Sequence, residues 1–405
     1  MILKTLSPLA LSSTLSGNIN NTLDYIPGTS IRGALANMFR AIYDMSDPNK
    51  CALFKRLFLS DEVYFGNFYK EFSLPIPMTA RACKIKGGFQ NIYDKEFKED
   101  AHGVKDFLLE YLLYKLSGDT YNLPDKCPVN NCKAPMESYR GWCTYNSRYS
   151  IYKGVNVWKR EITRTEILPA ALTSREGILF TIEVIEVEQR FNGSIYVSDL
   201  NLQNELKSLL EQQNLFLGVG RTRGLGAIEV VQCDFISETY ESQKIKTENG
   251  KPSRLESFNT ALQQKLNNHT NNKTYFTITL LSDMILENNF GQYLTILGID
   301  KLKECFNHNS AEYSIMDNFN LFLTFSGSHT ISGWSDVWKL PKYSELCIEK
   351  GSVFLFESSR VLNNDDKNAL ENSLEYLERC RFGKRIDEGF GHISICNPFH
   401  WREIV

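Results

Sequence analysis

Cys127-Pro-Val-Asn-Asn-Cys132 sets two thiols in a turn-rich stretch, with Cys83 upstream in TARACK, His102 in DAHGVKD and Cys143 in GWC. Thiolates and imidazole on loops without a core of their own are the donor set of a structural zinc, and bound metal supplies such loops with folding energy. Cys127 and Cys132 lead the expected ligands, then Cys83, with His102 and Cys143 competing for the fourth place. One zinc per chain is expected. The alternative is a handful of free cysteines, since a four-residue spacer is less specific than a two-residue one. Cys51, Cys233, Cys305, Cys347, Cys380 and Cys396 sit in or beside apolar segments and read as core residues.

Two glycine-rich loops come next. Gly218, Gly224 and Gly226 carry Arg221 and Arg223 between them; Gly383, Gly389 and Gly391 carry Lys384 and Arg385 at the same spacing, 165 residues on. Glycine lets backbone approach a ligand closely, and arginine offers paired donors to phosphate oxygens. A dinucleotide fingerprint would follow a strand and open a helix, whereas these loops follow a helix and open a strand. There is no G-K-[ST], which excludes a nucleotide P-loop. The plainer reading is a turn packing a helix on a sheet, with solvated arginines. In the second loop Asp387 and Glu388 would repel phosphate, so that loop can serve structure or a protein partner instead.

Residues 138–175 hold Arg140, Arg148, Lys153, Lys159, Arg160, Arg164 and Arg175 against Glu161 and Glu166, a local charge of +5. Tyr139, Trp142, Tyr145, Tyr149, Tyr152 and Trp158 lie among them. Cations for phosphates and flat rings for bases suit single-stranded RNA. The alternative is a solvated strand pair with aromatics facing the core. None of the six histidines, His102, His269, His308, His329, His392 and His400, pairs with a nucleophile in a recognisable motif.

The elements that must position these residues can be read coarsely. Residues 2–10 read as a strand rather than a signal peptide, being broken by Lys4 and Pro8. After Pro27-Gly28, Thr29 or Ser30 can cap a helix with Ile31, Leu35, Met38, Phe39 and Ile42 on one face. Residues 45–148 look like an insertion with one helix near 103–116. Strands near 149–159 and 177–189 and a helix at 201–213 lead to the first glycine loop. Residues 236–273 are polar and read as a linker. Strands then follow at about 274–286, 320–326 and 352–357, with a helix at 364–380 before the second loop. Two copies of a strand–helix–strand–strand–helix–strand unit are the economical reading. The expected division is 1–235, with the insertion at about 45–148, a linker at 236–273, and 274–405.

The chain has 405 residues, enough for two or three domains, with 42% hydrophobic and 23% charged residues, the balance of a folded protein. No run approaches a membrane-spanning length. Unevenly spaced cysteines argue against a disulfide framework and for a cytoplasmic protein. The net charge of −3 becomes −8 once residues 138–175 are set aside. That excludes a general polyanion binder and leaves room for a local RNA groove.

IPGTSIRGAL (residues 26–35) resembles the N-terminal signature of the RAMP superfamily of CRISPR proteins, and FLGVGRTRGLGAIEV and FGKRIDEGFGHIS resemble its C-terminal glycine loops. ISGWSDVWKLPKYSELCIEKGSVFLFE (residues 331–357) is similar to a segment of the group 5 subunits of type III effector complexes, and with the cysteine-bearing insert it comes closest to the type III-D Csx-ten family. The resemblance implies an α+β fold of two ferredoxin-like, RRM-related domains, and the cysteine and histidine residues above add a zinc-stabilised insertion in the first. It implies a non-catalytic subunit of an antiviral ribonucleoprotein that grips the CRISPR RNA 5′ handle and caps the backbone filament. Its partners would be the backbone RAMP subunits and the large polymerase-like subunit, with target RNA met indirectly and no membrane. Carried over by motif, the RNA-binding residues are Gly28, Ser30, Arg32, Gly33, Arg221, Arg223, Gly224, Gly226, Lys384, Arg385, Gly389 and Gly391. KREITRTEI is similar to the family's central hairpin and adds Lys159, Arg160 and Arg164. The alternatives are a RAMP-type endoribonuclease that processes repeat RNA, and a target-RNA-cutting backbone subunit, for which no motif singles out Asp24 or Asp61. His392 reads as a packed or RNA-stacking residue rather than a general base.

Overall fold

The computed structural model describes residues 1–16, 19–90, 101–117, 121–148, 150–168, 173–211, 215–234, 252–266, 272–335 and 340–402. It is a mixed α+β chain with several small sheets. Two compact units form: Met1–Ser73, Val155–Ser237 and Asp387–Gly389 in one, and Leu74–Gly154, Glu238–Ile386 and Phe390–Val405 in the other.

The first unit runs β1 (Ile2–Thr5), α1 (Gly28–Ile42), β2 (Tyr69–Lys70), β3 (Arg190–Asn192), α2 (Leu200–Glu211) and β4 (Ala227–Gln232). The strands lie in the order β4-β1-β3-β2, each antiparallel to its neighbour, and the two-residue strand Leu215–Phe216 adds a fifth, antiparallel, outside β4. Ile31, Leu35 and Phe39 recur every four residues on α1, and Leu202, Leu206 and Leu209 line α2. Both stripes close on Leu3, Phe191 and Ile228 of the sheet. Neither Thr29 nor Ser30 caps α1. The helix begins at Gly28 behind Pro27, without a side-chain cap from its own N-terminus. Asn67 Oδ1 accepts the Gly28 amide at 2.9 Å and takes over that role.

A long hairpin, Lys159–Leu168 with Thr173–Ile185, belongs to the same unit. Its second strand pairs in parallel with Ile19–Thr22. Helix Pro48–Phe58 packs Leu57 and Phe58 into the same core. Part of the expected insertion is therefore core: β2 supplies the edge of the sheet, but two residues are too short to show an alternating pattern. Residues 74–148 of that insertion count with the second unit.

The second unit repeats the plan. Its strands are β5 (Tyr275–Leu280), β6 (Phe319–Phe325), β7 (Val353–Ser358) and β8 (Ile393–Ile395), ordered β8-β5-β7-β6, again antiparallel throughout. Short helices α3 (Ile299–Lys303) and α4 (Ala311–Met316) precede β6, and α5 (Asn364–Arg379) precedes β8. Asn363 and Asp366 close a capping box at the start of α5. Helix Arg254–Leu266 lies within the stretch read as linker. Leu255, Phe258, Leu262 and Leu266 enter the core beside Leu108, Leu109 and Leu112 of helix Leu108–Ser117. Its polar outer face hid that stripe. The rest of the expected linker, 236–251 and 267–271, lies outside the described residues. No helix among the described residues is long and apolar enough to cross a membrane.

Candidate metal centre and nucleic-acid interface

In the second unit, strand Ala80–Cys83 pairs with Val104–Asp106 on one side and Met136–Ser138 on the other. That places Cys83 at a strand end beside two loops. The His102 amide donates to Lys86 O at 2.9 Å, holding its loop against the turn after Cys83. The Cys127 amide donates to Ala134 O at 2.8 Å and that of Cys132 to Val129 O at 3.0 Å, folding the four-residue spacer back on itself. One ligand atom each from Cys83, His102, Cys127 and Cys132 lies within 4.8 Å of the others. Cys83 Sγ is 3.7 Å from Cys132 Sγ, and His102 Nδ1 is 3.3 Å from Cys127 Sγ.

Two thiolates on one tetrahedral zinc lie about 3.8 Å apart, and a thiolate and an imidazole about 3.5 Å apart, given bonds of about 2.3 and 2.0 Å. The donor set and spacing fit a four-coordinate metal. Burial alone would raise the Cys83 thiol. The Lys86 and Ile85 amides, with Cys132 and His102, outweigh it and bring its pKa down to about 6. Cys143 is outside the cluster. It is buried among Ile76, Ala82, Val104, Tyr152 and Phe399, and burial pushes its thiol far above the ordinary range.

The basic segment behaves differently from its composition. Trp142 and Tyr152 are buried, and Tyr139 and Tyr145 pack against the same small core as Tyr152 and Phe399. Trp158 is exposed (68%), with Lys70 Nζ 4.3 Å from its ring centre. Tyr149 lies outside the described residues. Three of the segment's cations meet acids distant in sequence. Lys159 Nζ meets Asp24 at 2.5 Å and Glu183 at 3.2 Å; Arg160 meets Glu186 at 3.2 Å; Arg140 meets Glu349 at 2.8 Å. Arg164 stands opposite Phe180 across the hairpin, with no ion pair among the described residues.

The glycine loops repeat in three dimensions as well as in spacing. In the first, Leu217 N donates to Gly226 O, Val219 N to Ala10 O and Gly226 N to Pro8 O, at 2.8, 3.0 and 2.9 Å. In the second, Phe382 N donates to Gly391 O, Lys384 N to Ile285 O and Gly391 N to Asp283 O, at 3.3, 2.9 and 2.9 Å. Each loop is thus pinned to the segment that follows its unit's first strand. Each also contains one 3-10 turn, Arg221–Arg223 or Ile386–Glu388.

The surfaces of the two loops diverge. Arg221 and Arg223 are exposed on the first turn, and Arg223 has no ion pair among the described residues. Leu225 packs with Ala10, Ile182 and Val184, so one apolar cluster fastens this loop to the long hairpin that carries Lys159, Arg160 and Arg164. In the second loop Lys384 meets Glu287 at 2.5 Å and Arg385 meets Glu345 at 2.9 Å. Asp387 and Glu388 take the Arg32 guanidinium, whose Nε also donates to Phe58 O at 2.9 Å. Asn67 Nδ2 donates to Gly389 O at 3.1 Å. Gly33 is exposed on α1, and a Cβ there would meet nothing within 4 Å; Ser30 is half-buried beside it.

Among the histidines, His392 is half-buried, and its desolvation with the nearby Arg381 cation pulls its pKa down to about 3. His400 is buried and lies between Asp106 (2.9 Å) and Thr279 (2.8 Å). His329 joins Asp283 and Cys347 in a second ligand cluster that the sequence did not announce, since Cys347 reads as a core residue.

A family model described as the RAMP superfamily matches residues 2–229. No curated protein sequence matches the chain significantly. Among solved structures, a chain of the type III-B Cmr-beta bound to cognate target RNA and AMPPnP, state 1, is similar at 12% identity and a TM-score of 0.40, over 92% of each chain. Cas6 of Thermus thermophilus is similar at 11% identity and a TM-score of 0.27, over 58% of this chain and 78% of its own.

Proposed function

The chain belongs to the RAMP superfamily, and from that membership we propose that it is a non-catalytic, RNA-binding subunit of a type III CRISPR effector, of the group 5, type III-D kind. In this reading it grips the CRISPR RNA 5′ handle, caps the backbone filament and meets the large polymerase-like subunit. The observation that carries the reading is the first glycine loop, an arginine-bearing turn fastened by Leu225 to a basic hairpin within the stretch that the family model matches. Arg164, Arg221 and Arg223 are the phosphate contacts, and Arg160 and Trp158 flank them. Arg32, Lys159, Lys384 and Arg385 are engaged by carboxylates and act as braces. Gly28, Gly226, Gly389 and Gly391 set the backbone path. Both units are read as ferredoxin-like, which the shared strand order supports.

The non-catalytic role is supported by where the histidines sit. His102 and His329 belong to ligand clusters, His400 is buried and His392 is half-buried. The Cys83–His102–Cys127–Cys132 cluster is read as a structural zinc site. Zinc there would tie three loops together; Cys83, Cys127 and Cys132 would hold it as thiolates and His102 through Nδ1.

Incubating the purified chain with repeat RNA tests the role. Stable, saturable binding with the RNA intact is expected. Metal-independent cleavage would overturn the non-catalytic reading in favour of a processing endoribonuclease.

A further inference from the structure

The second ligand cluster lies in the second unit, on elements unrelated to the zinc-type centre above. His329 and Cys347 are cross-strand partners on the hairpin of strands Ser328–Ser335 and Leu340–Ile348. Asp283 comes from the segment after β5, which Met284 and Ile348 join to that hairpin by a pair of backbone hydrogen bonds. One atom from each of the three residues falls within a 4.8 Å group. His329 Nε2 is 3.7 Å from Asp283 Oδ2 and 3.6 Å from Cys347 Sγ.

Those separations match ligands on one tetrahedral ion with bonds of about 2.0–2.3 Å. The two carboxylate oxygens are already sorted. Oδ1 accepts the Lys350 amide at 2.9 Å and faces its ammonium at 3.8 Å, while Oδ2 is left toward the imidazole. Asp283 and Cys347 are buried, whereas His329 is 40% exposed in its side chain, so the fourth position opens to water. A carboxylate, an imidazole and a thiolate together suit a borderline-soft divalent cation.

We propose that Asp283, His329 and Cys347 form a second, three-ligand zinc site that braces the hairpin to the segment holding the second glycine loop. The link to that loop is direct, because Asp283 O accepts the Gly391 amide. This site stands or falls independently of any RNA-binding role.

Zinc stoichiometry of the full chain is the test. The chain is stripped with chelator, reloaded with excess Zn2+, desalted and assayed for metal. Two zinc ions per chain are expected. Cys127→Ser with Cys132→Ser should leave one, and Asp283→Asn should also leave one; asparagine keeps the acceptor for the Lys350 amide, so the fold is preserved. His329→Ala with Cys347→Ser should repeat the Asp283→Asn result. An equal zinc count in the unaltered and Asp283→Asn chains would overturn the proposal, whatever the state of the first centre. That comparison decides the question even if the Cys347 variant does not fold.

Discussion

Replacing Gly226 by alanine separates a glycine that shapes the loop from one that merely lies in it. The Gly226 backbone has φ of +87°, and a Cβ there would stand 2.0 Å from the Leu217 carbonyl oxygen, where real Cβ atoms essentially never come within 3.0 Å. The two strands of the loop neck must therefore part by about 1 Å, and the 2.8 Å bond from Leu217 N to Gly226 O is the contact that breaks. The left-handed backbone costs alanine about 1–2 kcal/mol. The lost hydrogen bond adds about 1 kcal/mol, and the forced overpacking about 1–3 kcal/mol. The total is about 3–6 kcal/mol. Gly224 shares the positive φ, at +79°, but a Cβ there meets nothing within 4 Å, so Gly224→Ala should cost only the backbone share, about 1–2 kcal/mol. Urea unfolding of the two variants beside the unaltered chain measures both. Equal costs would refute the reasoning, because the close approach at Gly226 would then be without consequence.

Gly33→Ala, in an exposed helical position with open space around it, should instead stabilise the chain by about 0.5–1 kcal/mol; destabilisation would mean that α1 is covered there by something absent from the described fold. Acid should expose His392. Its folded pKa is depressed by burial and by Arg381, so its contribution is complete above the unfolded value of about 6.5 and is lost as pH falls toward about 3, reaching about 2 kcal/mol at pH 5. Comparing the pH 7 and pH 5 stabilities of the unaltered chain and His392→Gln isolates that share; identical pH dependence would remove His392 as its source. Arg164→Ala with Arg223→Ala should flatten the log–log salt dependence of RNA affinity by about 1.4, at about 0.7 per phosphate contact on a single strand, and an unchanged slope would take both arginines out of the interface. Chelator should strip the cysteine–histidine centre and raise protease cleavage between residues 84 and 135 while the β5–β8 sheet stays protected from hydrogen exchange; an unaffected cleavage pattern would show that these loops hold without metal.

Much of the fold was legible because its helices carry long apolar stripes. Ile31, Leu35 and Phe39, and Leu370, Leu374 and Leu377, announce α1 and α5 at helical spacing and reappear buried. The repeat was legible in three glycines, because all three in each loop hold a positive φ, and at all but Gly224 a Cβ would also collide with a neighbour. Within the expected insertion β2 spans only two residues and leaves no pattern to read, and within the expected linker four apolar residues of helix Arg254–Leu266 are diluted by a polar face. At the site, Cys83, His102, Cys127 and Cys132, chosen by residue type alone, lie together in the fold. The basic segment misled for an electrostatic reason. A charge count along the chain sees Lys159 and Arg160 but not Asp24, Glu183 and Glu186, which only folding brings within 3.2 Å. Asp283, His329 and Cys347 gave no signal, since their spacing follows from a hairpin register that no local pattern encodes.

The most direct test of the central claim is where a CRISPR RNA lies on this chain. RNA carrying a photoreactive base at single positions can be crosslinked to the purified subunit and the modified peptides identified. Crosslinks from 5′-handle positions to peptides containing Trp158–Arg164 and Arg221–Gly224, with the RNA left uncut, are the expected result. Crosslinks confined to spacer positions, or a handle cleaved during incubation, would contradict the reading of this chain as a non-catalytic handle-binding subunit.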